Sequence, residues 1–215
     1  MDINQTLQNL RVSYRLEALD ISDCRPDPLA QFDYWLKEAI NGQCDEPNAF
    51  TLSTVSHNKP RGRVLLLKGL HQGDFVFYTN YSSAKGQEME TNSHVAMTFL
   101  WLPLQRQVRI EGTVTKVDAA LSDDYFSKRP RGSQLGAIAS PQSQKVSSRQ
   151  VLEKLFSEVQ SNFGDNKPLK RPESWGGYAL SPEYIEFWQG RDNRMHDRIA
   201  YEKENGLWTL SRLAP

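Results

Sequence analysis

Charge of one sign, cysteine and long apolar runs are all scarce in this sequence. Lys plus Arg and Asp plus Glu each number 26, so the formal net charge is zero. No global field draws the chain to nucleic acid or a membrane, and an anion site has to be built from a local cluster. The two cysteines, Cys24 and Cys44, show no Cys-x-x-Cys spacing and no histidine at ligand distance. That argues against a disulfide framework or a zinc site, and no metal is expected. No apolar run approaches the roughly 20 residues of a membrane helix. Residues 1–14 are polar and lack the apolar stretch of a signal peptide, so the cytoplasm is the expected location. There is no Gly-x-Ser-x-Gly elbow, Walker loop or Gly-x-Gly-x-x-Gly turn, which leaves triad hydrolysis and P-loop or Rossmann nucleotide binding without support.

What is present suits a folded chain of 215 residues, 38% hydrophobic and 24% charged. Residues 1–24 carry few apolar anchors and read as a partly helical arm; 25–215 read as a single domain. A helix is predicted to open at Asp27-Pro28, a capping residue followed by proline at the first helical position. Leu29, Phe32, Leu36, Ala39 and Ile40 recur at helical spacing, and Asn41-Gly42 stops it. Strands are predicted over 49–56, 61–68, 75–80, 94–101, 106–117, 184–189, 194–203 and 207–212. Two of their turns are His57-Asn58-Lys59-Pro60 and Asn205-Gly206. Helices are expected over 83–91, 119–128, from Ser133, and from 147 or 148 to 163. Many antiparallel strands with surrounding helices suggest an α+β domain built on a barrel.

Four cationic stretches are candidates for anion binding. If 194–203 is a strand, Arg194, His196 and Arg198 share one face. Such a face suits phosphate and a planar ring, or it is a solvated edge whose charges pair with Glu186, Asp192 and Asp197. Arg61-Gly62-Arg63 to Lys68 has a buried apolar middle and charged ends. Arg63 and Lys68, five apart, reach one ligand only through a bulge or from the strand's end. Residues 125–133 hold Lys128, Arg129 and Arg131 close to a helix start, a phosphate-binding or merely solvated turn. Ser82-Ser83-Ala84-Lys85 places a lysine in a first helical turn, where the dipole disfavours it unless an anion joins it.

The segment Ile185-Glu186-Phe187-Trp188-Gln189-Gly190, continuing to Arg194-Met195-His196-Asp197-Arg198, resembles the signature of the pyridoxine/pyridoxamine 5′-phosphate oxidases. Further segments in family order are 63–68, Phe77-Tyr78-Thr79-Asn80, Arg106-Gln107-Val108, 125–133, Gln142-Ser143 and Arg212-Leu213-Ala214-Pro215. The resemblance implies a homodimeric split β-barrel with FMN in a cleft between subunits. It places Arg63, Val64 and Leu65 near the flavin and Lys68 on both flavin and substrate. Tyr78, Thr79, Ser83 and Lys85 would hold the ribityl-phosphate end. Gln107 from one subunit, with Gln142, Ser143, Trp188 and Arg198 from the other, would complete that site. Lys68, Tyr125, Arg129 and Ser133 would grip the substrate phosphate. Arg194 and His196 would cover the pyridine ring as the catalytic pair, with Arg11 and Tyr14 closing over it from the arm.

The implied reaction passes a hydride from the substrate's C4′ to flavin N5. Pyridoxamine 5′-phosphate gives an imine that water hydrolyses to pyridoxal 5′-phosphate and ammonia; pyridoxine 5′-phosphate gives the aldehyde directly. O2 then reoxidises the flavin and leaves as H2O2, the flavin doing the hard step. One position departs from the family pattern: Ala84 stands where arginine is frequent, so one contact to the FMN phosphate is missing. The rivals are another split-barrel FMN oxidoreductase and a non-catalytic pyridoxal-phosphate or flavin carrier. No nucleic-acid partner is expected.

Overall fold

The computed structural model describes residues 2–10, 12–164 and 167–215. In chain order they form α1 (Ile3–Asn9), α2 (Pro28–Asn41), β1 (Ala49–Ser56), β2 (Lys59–Leu66), β3 (Gly69–His71), β4 (Asp74–Asn80) and α3 (Ala84–Thr91). There follow β5 (His94–Trp101), β6 (Arg106–Lys116), α4 (Ala119–Lys128), α5 (Arg131–Ala139), α6 (Arg149–Phe163), β7 (Trp175–Gln189), β8 (Asp197–Glu204) and β9 (Leu207–Leu213). The strands join in the order β2-β1-β5-β6-β7-β4-β3, and β8 pairs with both β7 and β9. Among the described residues no helix is long and apolar enough to cross a membrane.

The chain clusters into two compact units. One is Met1–Phe50, Met97–Glu111 and Glu183–Pro215; the other is Thr51–Ala96 and Gly112–Pro182. In the first, Asp27 caps α2 by accepting from the Leu29 N–H at 3.1 Å. The helix then buries Phe32, Trp35 and Ala39. Phe32 meets Phe99 at 5.0 Å and Trp35 meets Phe187 edge-on at 5.1 Å; burying each such ring contributes about 1.5–3 kcal/mol. β7 and β8 pair from Tyr184↔Glu202 to Gln189↔Asp197. The β8–β9 turn is Asn205-Gly206, with φ 51° and 83°, as the Asn-Gly signal requires. In the second unit Phe75, Phe77, Leu180, Phe126 and Trp175 are buried, and β4 pairs with β7 from Phe75↔Leu180 to Asn80↔Trp175.

Four boundaries correct the sequence reading. The first hairpin turns on His57-Asn58 alone, both left-handed at φ 48° and 58°. Pro60 lies inside β2, tolerated because β2 ends the strand order and the lost N–H need not pair. α5 starts at Arg131, two residues before Ser133, because a helix accepts Pro130 as its capping residue. β7 starts at Trp175, far ahead of Tyr184. Its Gly176-Gly177 serves close packing: a Cβ on Gly177 would lie 2.9 Å from Tyr78 Cε1. Finally, β8 begins at Asp197, so strand alternation does not place Arg194 and His196 beside Arg198. Asn193 and Arg194, at φ 57° and 60°, turn the chain in left-handed geometry before the strand begins.

Candidate active site

In the second unit, β4 delivers Thr79 and Asn80 to the start of α3. Ser83 caps that helix: its hydroxyl donates to Asn80 O at 2.6 Å and accepts from the Gly86 N–H at 3.3 Å. Lys85 follows in the first turn and is 8% exposed. Its amine donates to Ser83 Oγ at 3.2 Å and to Gln142 Oε1 at 3.1 Å; Thr79 donates to the same Gln142 oxygen at 3.3 Å. These partners are neutral oxygens. Burial, and then the charge of Arg63, push the Lys85 pKa down, while Glu88 partly opposes them. Arg63 is itself held by Glu88 Oε2 and Thr54 Oγ1, both at 2.6 Å, and donates to Leu52 O at 3.2 Å. A buried amine with hydroxyls and a helix N-terminus around it is suited to a phosphate dianion.

Beside α4 the same unit builds a second group. The rings of Tyr78 and Tyr125 stack at 3.9 Å, and Tyr78 stacks on Trp175 at 5.5 Å. The Arg129 guanidinium lies 4.7 Å over the Trp175 ring. Its Nη1 is buried without a hydrogen-bond partner among the described residues, and burial lowers its pKa. The other cations of this segment are spoken for. Lys128 pairs with Asp124 at 2.7 Å, and both terminal nitrogens of Arg131 donate to carbonyls, of Lys167 and Gly164, though its Nε has no partner among the described residues. Burial pushes Tyr78 up to about 12, so its hydroxyl stays a neutral donor. Arg129 is thus a desolvated cation with an unused donor, which favours an anionic ligand.

In the first unit, Tyr14, Trp188 and His196 form a ring cluster. Tyr14 lies 5.8 Å from both Trp188 and His196, and Trp188 lies 4.6 Å from His196. A Cβ on Gly190 would sit 2.8 Å from Tyr14, so glycine leaves room for that ring. His196 Nδ1 accepts from the Arg191 N–H at 3.1 Å. Burial and then Arg194 lower its pKa. The neutral imidazole therefore carries its proton on Nε2. Arg198 is fixed by Glu186, with contacts of 2.8 and 3.0 Å, a bidentate pair. Glu186 also accepts from Arg109 at 3.0 Å and Tyr184 at 2.9 Å. Burial raises the Glu186 carboxyl, but these donors outweigh it and the net direction is down.

The family model described as Pyridoxamine 5′-phosphate oxidase matches residues 36–163, and the Pyridoxine 5′-phosphate oxidase C-terminal dimerisation region matches residues 175–215. A pyridoxine/pyridoxamine 5′-phosphate oxidase of Paraburkholderia phymatum is 50% identical over 212 residues, 98% of this chain and 99% of the relative. The chain belongs to the pyridoxine/pyridoxamine 5′-phosphate oxidase family. The relative so named in Salinibacter ruber is 49% identical over 97% of this chain and 99% of its own length. Crystalline PhzG from Burkholderia lata 383, in complex with tetrahydrophenazine-1-carboxylic acid, has a TM-score of 0.87 at 24% identity. The match covers 95% of this chain and 100% of that one and shows the shared fold. As an oxidase-family member the chain is an enzyme, an oxidoreductase with the family's α+β split β-barrel.

Of the expected site residues, Thr79 and Lys85 converge on Gln142 Oε1 with Ser83 bonded to the same amine, and Tyr78, Tyr125 and Arg129 gather around the Trp175 ring. Tyr14, Trp188 and His196 also come together. Val64, Lys68, Ser133, Ser143 and Arg194 are exposed, while Leu65 and Gln107 are half-buried; among the described residues no hydrogen bond joins their side chains to these groups. Lys68 lies past the end of β2, its N–H bonded to Val76 O at 2.9 Å. That is the end-of-strand option left open by the spacing. Arg11 lies outside the described residues. The sequence reading missed Glu88 and Thr54 as holders of Arg63, and Trp175 beneath Arg129. None of the three has a local signal. Glu186, a buried acid in an apolar strand run, is named in the solvated-edge alternative as a charge partner, and Arg198 does pair with it.

Proposed function

We propose that this chain is an FMN-dependent oxidase that converts pyridoxamine or pyridoxine 5′-phosphate to pyridoxal 5′-phosphate with O2 as acceptor. H2O2 is released, and ammonia from the amine. The observation that carries the reading is a pair of prepared anion sites in one unit. They are the Lys85 amine among neutral oxygens and the buried Arg129 Nη1, which has no hydrogen-bond partner among the described residues. A phosphorylated cofactor and a phosphorylated substrate need two such sites.

Lys85, Ser83, Thr79 and Tyr78 would hold the ribityl-phosphate end of FMN, with Gln142 and Ser143 beside them. Arg63, Val64, Leu65, Lys68, Gln107, Trp188 and Arg198 would frame the flavin. Arg129, Tyr125, Ser133 and Lys68 would hold the substrate phosphate. The chemistry FMN supplies is two-electron acceptance from the substrate carbon and reoxidation by O2. Arg194 and His196 would orient the pyridine ring, with Arg11 and Tyr14 covering it. His196 serves as a donor through Nε2–H; its Nδ1 is occupied by a backbone N–H, so it is a poor proton acceptor. A homodimer, residues 25–215 acting as one catalytic body with 1–24 as its arm, and a cytoplasmic setting complete the reading.

The test is oxygen uptake by FMN-loaded protein with each phosphorylated vitamer. Uptake matched by aldehyde formation is expected. A flavin-loaded protein that consumes no oxygen with either vitamer contradicts the proposal.

A further inference from the structure

The arm is tied down by two adjacent residues at the β5–β6 turn. Gln105, left-handed at φ 54°, accepts through Oε1 from the N–H groups of Arg15 at 3.0 Å and Leu16 at 3.3 Å. Arg106, 5% exposed, donates to Glu17 at 2.8 Å, to Glu38 at 2.6 Å and to Gln189 Oε1 at 2.8 Å. Its guanidinium also lies 4.4 Å over the Trp35 ring. The same turn holds the end of β7: Gln105 O accepts from the Gly190 N–H at 2.8 Å and from Gln189 Nε2 at 3.3 Å. Arm residues 15–17 and strand residues 189–190 are therefore referenced to one rigid point.

Tyr14 sits at the edge of the tied segment and Trp188 next to the tied strand end. The two rings meet each other and His196. A guanidinium gripped on three nitrogens and stacked on a ring has no alternative orientation at small cost, so it transmits position. We propose that Gln105, Arg106 and Glu17 form a clasp that places Tyr14 against Trp188 and His196. They are positioning residues for substrate rather than groups that touch it. The proposal rests on the function given above for the role of that ring cluster.

Two variants loosen the clasp without stranding a buried charge. Gln105→Gly keeps the left-handed backbone that glycine adopts freely and deletes the amide. Glu17→Gln removes an acid whose side chain is 59% exposed and leaves Arg106 paired with Glu38. Hydrogen exchange on FMN-loaded protein reads the arm directly, and steady-state kinetics with pyridoxamine 5′-phosphate read the consequence. Losing the three Gln105 side-chain bonds, to Arg15 and Leu16 N–H and Ser13 O, should speed exchange at Arg15 and Leu16 about fivefold or more. KM should rise with kcat, flavin affinity and melting temperature nearly unchanged; Glu17→Gln should shift the same way by about threefold. Unchanged exchange would show that the arm is held elsewhere. Faster exchange with unchanged KM would separate the arm from substrate binding. Either overturns the clasp. Absence of turnover in the unmodified protein would instead sink the proposed function, and the exchange comparison, which needs no substrate, would still judge the ties.

Discussion

Replacing Lys85 by methionine should move cofactor affinity and fold stability in opposite directions. Lys85 is 8% exposed and its amine is bonded to two neutral oxygens. In the flavin-free protein its charge is poorly compensated, and its pKa is pulled below the ordinary 10.5, first by burial and then by Arg63. The folded state therefore binds fewer protons than the unfolded chain between the lowered pKa and 10.5. Stability from this group rises with pH across that window. Methionine of similar length removes the buried charge, so the flavin-free melting temperature should hold or rise at neutral pH, and the alkaline rise should vanish. FMN binding should weaken, because a hydrogen bond to a charged group contributes about 1.5–3 kcal/mol, roughly tenfold to a hundredfold in Kd. Flavin fluorescence titration gives the affinity, and melting with and without FMN gives the stability. A variant that binds FMN as well as wild type, or that loses several degrees when flavin-free, would refute the assignment of Lys85 to an anion site.

Three further outcomes follow from the geometry. Arg129→Ala should raise KM for the phosphorylated substrate by about tenfold or more, through loss of a charged hydrogen bond, while leaving the bound-flavin spectrum intact; steady-state kinetics beside a visible spectrum decide it. Glu186→Gln should destabilise the protein at neutral pH by about 1–3 kcal/mol, since Arg198, Arg109 and Tyr184 lose their shared carboxylate. The net downward pKa shift of Glu186 from 4.5 means this stability is present above that value and lost as pH falls through the folded pKa. Urea titrations from neutral to acid pH should show the two proteins converging. Ala84→Arg, at an exposed position in the first turn of α3, should tighten FMN by about fivefold, with the gain shrinking as salt rises; unchanged affinity at low salt would count against it.

Elements with both ends marked locally were legible in the sequence. α2 runs from its Asp27 cap to Gly42 as its side chains dictate, and β1 and β5 match their expected bounds. Reading failed where a residue's local meaning is overridden by packing. The strand expected from Tyr184 already begins at Trp175, where Gly176-Gly177 packs closely, and Pro60 sits in a strand that tolerates it. Arg194 was placed on a strand because alternation of Arg194, His196 and Arg198 is a strand pattern; the left-handed pair Asn193-Arg194 leaves no such signature. For the site, the lysine at the start of α3 was a visible misfit with the helix dipole. Its convergence with Gln142 and Thr79, separated from Lys85 by 57 and 6 positions, is a product of the fold and has no sequence period. The same holds for Glu88 on Arg63 and for Trp175 under Arg129.

The central claim is that this chain passes electrons from a phosphorylated B6 vitamer to a bound flavin. It is tested most directly by mixing FMN-loaded protein with pyridoxamine 5′-phosphate in the absence of oxygen and following flavin absorbance. Bleaching with one pyridoxal 5′-phosphate formed per flavin, reversed on admitting air, is the expected result. Flavin that stays oxidised at saturating substrate would contradict the account.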